Sequence, residues 1–192
     1  MVISLIGLPG GGKSTVGRQL ARKLGVRFVD ADTELEERIG MPIRSFFEQQ
    51  GEHAFRDLEE RVIDDLTRPQ TLEGAETVGG DADSTGANHV GMVLATGGGS
   101  VLRPANRACL RERTTVVYLR STPEELYRRL KHDTQRPLLQ VADPMIKLRE
   151  LYQVRHPLYE ETAHYSVDTG RPSVSTLVNM IIMQLDLGEP HP

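Results

Sequence analysis

The amino-acid sequence predicts an α/β fold: a three-layer α/β/α sandwich built on a five-stranded parallel sheet. Three observations predict it. Short, near-continuous apolar runs recur along the 192 residues, as strands buried on both faces require. Longer amphipathic segments with helix start and stop signals separate these runs. The strand-then-helix order repeats, which lays right-handed crossover helices over a single parallel sheet.

Val2-Ile3-Ser4-Leu5-Ile6 is the first strand and runs straight into a glycine loop. Beyond the loop, Val16, Leu20, Ala21 and Leu24 recur at helical spacing, and Gly25 closes that helix. Arg27-Phe28-Val29-Asp30 is a second short strand. Ser45-Phe46-Phe47-Glu48 carries the capping-box pattern of a helix start, and 52–67 reads as a charged amphipathic helix. Met92-Val93-Leu94-Ala95 and Thr115-Val116-Val117-Tyr118-Leu119 are two more buried strands. Thr122, Pro123 and Glu125 then open a helix with cap, first-turn proline and box, and Asp143-Pro144 opens another in the same way. Tyr165-Ser166-Val167 is the fifth strand. A last helix carries Val174, Leu177, Val178, Ile181, Ile182 and Leu185 on one side, leaving 186–192 as a short tail. One stretch breaks the pattern. Segment 69–91 holds Gly74, Gly79, Gly80, Gly86 and Gly91 among small polar and acidic residues, too little apolar material to offset ordering, and reads as a mobile insertion.

The length fits a single domain spanning 1–192, and 38% hydrophobic residues exclude disorder throughout. Lys and Arg total 23 against 27 Asp and Glu, a net charge of −4, which argues against nucleic acid or an anionic membrane as partner. Cys109 is the only cysteine, which excludes an intramolecular disulfide and a Cys-rich zinc site and fits a reducing compartment. No apolar run approaches the about 20 residues a membrane span needs, and the opening strand has no basic residue before it. The expectation is a cytoplasmic monomer acting on small molecules.

Gly7-Leu8-Pro9-Gly10-Gly11-Gly12-Lys13-Ser14 satisfies G-x-x-x-x-G-K-[ST] after a buried strand and before a helix, where a phosphate-binding loop must stand. Gly10, Gly11 and Gly12 let backbone N–H groups converge on phosphate oxygens. Lys13 reaches the β- and γ-phosphates, the Ser14 hydroxyl suits Mg²⁺, and Thr15 follows on the helix. The alternative is a glycine-rich turn without a ligand. The three asparagines, Asn88, Asn106 and Asn179, precede His, Arg and Met, so no Asn-Lys-x-Asp guanine reader exists. A small-substrate kinase using a nucleoside triphosphate fits best.

Asp30-Ala31-Asp32 follows the second strand at the edge where open α/β sheets bind ligands. Asp32 can position an acceptor hydroxyl or ligate metal, or it can cap the helix that follows. Thr96-Gly97-Gly98-Gly99-Ser100 follows the third strand at the same edge, and consecutive glycines allow close ligand approach. In Phe55-Arg56-Asp57-Leu58-Glu59, Arg56 reads equally as an anion clamp or a solvated helix arginine. The six histidines are dispersed without ligand spacing, and packing is the default for Tyr127, Tyr152, Tyr159 and Cys109.

The phosphate loop through Thr15, Asp30-x-Asp32, Phe55-Arg56-x-x-Glu59, Gly97-Gly98-Gly99, Arg136-Pro137-Leu138-Leu139 and Arg155-x-Pro157-Leu158-Tyr159 resemble, in order and spacing, the shikimate kinase family. The resemblance implies a P-loop kinase fold with a lid at about 128–140, and transfer of phosphate from Mg·ATP to shikimate. It further implies that Asp32 contacts the acceptor hydroxyls, that Arg56 and Arg155 clamp the acceptor carboxylate, and that Gly97, Gly98 and Gly99 line its ring. By the same resemblance Arg136 reaches the phosphates from the lid, Arg129 packs on adenine, Arg171 falls near a second adenine contact, and Glu59 supports Arg56. Two departures stand out: the 69–91 stretch is longer than the family usually has there, and Pro9-Gly10-Gly11 replaces a bulkier variable position. The rival readings are another small-metabolite kinase, such as a gluconate kinase, and a nucleotide-binding module without an acceptor.

Overall fold

The computed structural model describes residues 1–69, 91–131 and 141–188. Five parallel strands, β1 (Val2–Ile6), β2 (Arg27–Asp30), β3 (Met92–Ala95), β4 (Thr115–Arg120) and β5 (Tyr165–Asp168), form one sheet in the order β2-β3-β1-β4-β5. The chain leaves β1 for the far edge at β2, returns to β3, and then crosses β1 to reach β4. The winding therefore reverses around β1, and a cleft opens beyond the carboxyl ends of β1, β3 and β4.

Both faces of the sheet are buried, as the continuous apolar runs predict. On one face α1 (Lys13–Leu24) and α7 (Val174–Gly188) pack Val16, Leu20, Leu177, Val178 and Ile181 onto Ile3, Leu5, Val117 and Leu119. On the other, α3 (Ile43–Thr67), α4 (Pro104–Arg113), α5 (Pro123–Leu130) and α6 (Pro144–Thr162) cover Ile6, Val116 and Tyr118 with Ile63, Leu110, Leu126, Leu148 and Tyr159. Each such fully buried aliphatic side chain contributes roughly 1.5–3 kcal/mol. The short α2 (Ala31–Ile39) joins β2 to α3.

The caps read from sequence hold at α5, where Thr122 and Glu125 form a complete capping box, and at α6, where Asp143 accepts from the N–H groups of Met145 and Ile146. Two boundaries differ. Ser45 does not start α3: the helix begins at Ile43 behind Pro42, and Ser45 lies in its first turn. Gly51 then breaks the helix with φ 81° and ψ 173°, a conformation that favours glycine, so 52–67 is a separate helical run as expected. Residues 186–188, expected in the tail, continue α7. The 70–90 part of the expected insertion, 132–140 of the expected lid and 189–192 of the tail lie outside the described residues.

Candidate active site

The first strand ends at Ile6 and the chain turns through Gly7 to Gly12 into α1. Gly12 sits at φ 88°, and neither a capping side chain nor an acidic residue occupies the first turn of the helix. The N-terminal N–H groups and the positive end of the helix dipole thus stay available to an anion. Lys13 is largely buried, and its Nζ donates to the carbonyl oxygens of Gly7 and Leu8, each at 2.9 Å, which holds the ammonium over the loop. Next to it the Ser14 hydroxyl donates to Asp30 Oδ2 at 2.5 Å.

Asp30 explains how Asp32 is freed. The Asp30 carboxylate caps α2, its Oδ1 accepting from the N–H groups of Asp32 at 3.1 Å and Thr33 at 3.4 Å. Asp32 is therefore not the cap that its position allowed. It lies in the first turn as an exposed residue facing the cleft, where the Gly97 backbone crowds one carboxyl oxygen and takes away part of its solvent. That loss of solvation, together with the neighbouring Asp30 charge, raises the Asp32 pKa above the ordinary carboxylate range, while Lys13 and Arg56 pull it back.

A cavity of about 510 Å³ is lined by Pro9, Gly10, Gly12, Lys13, Ser14, Thr15, Asp30, Asp32, Thr96, Gly98 and Arg129. A second, of about 330 Å³, lies along the same loop against Gly11, Val16, Thr169, Pro172 and Leu177. Arg129 borders both, and its Nη2 donates to the Thr169 carbonyl at 2.5 Å. Arg171 is exposed and lines neither.

Across the cleft, Arg56 is no solvated helix arginine: its side chain is 12% exposed, and Nη1 pairs with the buried Glu59 carboxylate at 2.6 Å. Burial raises the Glu59 pKa, and the positive charge of Arg56, with that of Arg155 behind it, opposes the rise. Arg155, on α6 one turn before Tyr159, sets its positive charge against the Tyr159 hydroxyl. The glycine triplet fills the angle between these groups. A methyl on Gly97 would stand 2.7 Å from Asp32 Oδ1 and 3.0 Å from Glu59 Oε1, and one on Gly99 would overlap the Arg56 guanidinium. The absent side chains are what let one carboxyl and one guanidinium close on the same wall.

The structure thus gathers Lys13, Ser14, Thr15 and Asp32 on one side and Arg56, Arg155, Gly97, Gly98 and Gly99 on the other; Arg136 lies outside the described residues. Sequence reasoning did not assign Asp30 its bond to Ser14, nor Tyr159 its polar contacts. Both residues stand within the motifs quoted above, but only the three-dimensional structure shows what their polar atoms reach. Tyr127, assigned to packing, is instead 37% exposed.

A phosphate loop at the switch point of a parallel sheet, facing an acid and two arginines over a glycine wall, defines a P-loop phosphotransferase for small acceptors. The family model for shikimate kinase matches residues 9–80 and 83–186. A shikimate kinase of Paracidovorax citrulli (strain AAC00-1) is 52% identical over 191 residues, 99% of this chain and 94% of the relative. The solved shikimate kinase from Acinetobacter baumannii in complex with shikimate superposes with a TM-score of 0.83 at 37% identity, covering 99% of this chain and 95% of that one. A gluconokinase from Sinorhizobium meliloti 1021, 17% identical with a TM-score of 0.53 and covering 97% of this chain and 91% of that one, shares the fold alone. The chain belongs to the shikimate kinase family and is an ATP-dependent kinase.

Proposed function

We propose that the protein transfers the γ-phosphoryl group of ATP to the 3-hydroxyl of shikimate, giving 3-phosphoshikimate and ADP, a step in chorismate and aromatic amino-acid biosynthesis. The observation that carries this reading is that Asp32 lines one cavity with Lys13 and shares the glycine wall with Arg56, Gly97 standing against the Asp32 carboxyl and Gly99 against the Arg56 guanidinium. Arg56 and Arg155 receive the carboxylate of the ring acid, because guanidiniums fix a carboxylate in orientation as well as in place. Their clamp turns the ring so that one hydroxyl meets Asp32.

The hydroxyl oxygen attacks the γ-phosphorus, the bond from that phosphorus to the β–γ bridging oxygen breaks, and the hydroxyl proton passes to the Asp32 carboxylate. The raised pKa of Asp32 makes it the better base for this step. Lys13 neutralises charge on the transferred group, and Arg136, on the segment expected to be the lid, adds a second cation to the phosphates. Arg129 borders the nucleotide-base end of the cleft. The Ser14 hydroxyl with the Asp30 and Asp32 carboxylates offers hard oxygen donors, a set that fits Mg²⁺ held with phosphate oxygens and water. Such an ion would supply neutralisation of phosphate charge during transfer.

The test is an acceptor panel with coupled detection of ADP. Shikimate is expected to drive ADP formation while gluconate and nucleoside monophosphates do not. ADP formation with another acceptor, or nucleotide binding without transfer to any acceptor, contradicts the reading.

A further inference from the structure

Tyr159 is fully buried, and packing alone would account for a tyrosine on α6 whose ring stands 4.9 Å from that of Tyr118. Its hydroxyl does more than fill space. It donates to the Gly98 carbonyl at 2.5 Å, across 61 residues of sequence, and the positive charge of Arg155, one helical turn earlier on the same face of α6, bears on it. Gly98 is the middle of the glycine wall. Its other side is pressed against the phosphate loop, for a methyl there would stand 2.6 Å from Pro9 Cδ. One phenol therefore joins the loop that holds the nucleotide, the wall that faces the acceptor ring and the arginine across from it.

We propose that Tyr159 is a positioning residue for the phosphoryl acceptor: its hydroxyl ties the Gly98 carbonyl to the Arg155 guanidinium, so that wall and clamp meet the acceptor in one fixed geometry. An arginine carries about 2 kcal/mol of rotamer entropy, and a side chain left to wander loses much of that on each binding event. A buried acceptor beside the guanidinium removes that loss in advance. The phenol suits the task because burial, the largest influence on it, keeps the hydroxyl protonated and able to donate to Gly98 at every working pH. Phenylalanine would keep the ring packing and lose only the two polar contacts.

The proposal rests on Arg155 acting as a carboxylate clamp, and the experiment separates the two. Shikimate affinity is measured by calorimetry, and steady-state constants by ADP detection, for the wild type, Tyr159→Phe, Arg155→Ala, the double variant and Tyr118→Phe. Tyr118→Phe removes a neighbouring buried hydroxyl that pairs with His156 instead. Tyr159→Phe is expected to raise the shikimate KM roughly 10- to 150-fold, the range for a hydrogen bond to a charged group, with ATP KM and kcat within about threefold. In the Arg155→Ala background the same change is expected to alter shikimate affinity by less than about twofold, since the partner it orients is gone. Tyr118→Phe is expected to leave shikimate KM unchanged. An unaltered shikimate KM in Tyr159→Phe, an equal loss in both backgrounds, or an equal rise in Tyr118→Phe overturns the positioning role while leaving the clamp intact. Unaltered shikimate binding in Arg155→Ala overturns the clamp, and the positioning role with it.

Discussion

Asp32 is held in a form that costs stability. Crowded by protein and set beside Asp30, its carboxyl is easier to protonate in the folded chain than in the unfolded one. Between the two pKa values the native state binds the extra proton, so this site favours folding most at low pH and loses that contribution as pH rises through the folded pKa. Asp32→Asn is accordingly expected to be more stable than the wild type at pH 8 and indistinguishable near pH 3.5. Thermal unfolding across that range checks it, and a wild type stabler at pH 8 would refute the direction. The same change is expected to lower kcat by roughly 100- to 10,000-fold, the range for losing a general base. Lys13→Ala is expected to cost at least roughly 100-fold in turnover with the fold retained, because a fixed charge is removed from the transferred group. Single-turnover kinetics measure both. At this scale the sequence shows which residues carry chemistry, since Lys13, Asp32 and Arg56 are conspicuous by type and spacing. It does not show pairing: that one Asp30 carboxylate both caps α2 and accepts from the Ser14 hydroxyl, sixteen positions away, emerges only in three dimensions.

Among the elements, the turn from β3 into the short 3-10 segment Ser100–Leu102 governs the acceptor side. Gly99→Ala would set its methyl on the Arg56 guanidinium and push the arginine off the buried Glu59 carboxylate it pairs with. The expected outcome is a lowered melting temperature together with shikimate KM raised roughly 10-fold, as for losing one charge-assisted contact; an unchanged KM would contradict this. Thr122→Ala tests the other kind of element, a helix cap remote from the clamp. It is expected to cost about 0.5–2 kcal/mol of stability, read from denaturant unfolding, without altering acceptor KM. Strands and capped helices were legible because continuous apolar runs and Thr-Pro-x-Glu patterns act locally. The helix α4 was not, since Pro-Ala-Asn-Arg-Ala-Cys-Leu-Arg-Glu-Arg buries only Asn106 and Leu110 and shows almost no apolar stripe. The true start of α3 was masked because Pro42 opens the helix without a side-chain cap.

For the molecule as a whole, the sheet order does the positioning. Because the winding reverses at β1, three carboxyl ends meet over one cleft, while the end of α3 and the start of β3, which bound segment 70–90, lie at the opposite, amino-terminal end of the strands. Excising 72–89 is therefore expected to leave both KM values and kcat within about threefold, as loop-length changes remote from a site cost little; failure to fold would contradict this. The most direct measurement of the central claim is a crystal structure of the protein with ADP and shikimate bound. The account predicts nucleotide phosphates beside Lys13, the ring carboxylate between Arg56 and Arg155, and a ring hydroxyl within hydrogen-bonding reach of Asp32. A ring acid bound away from Asp32, or a nucleotide away from Lys13, would contradict it.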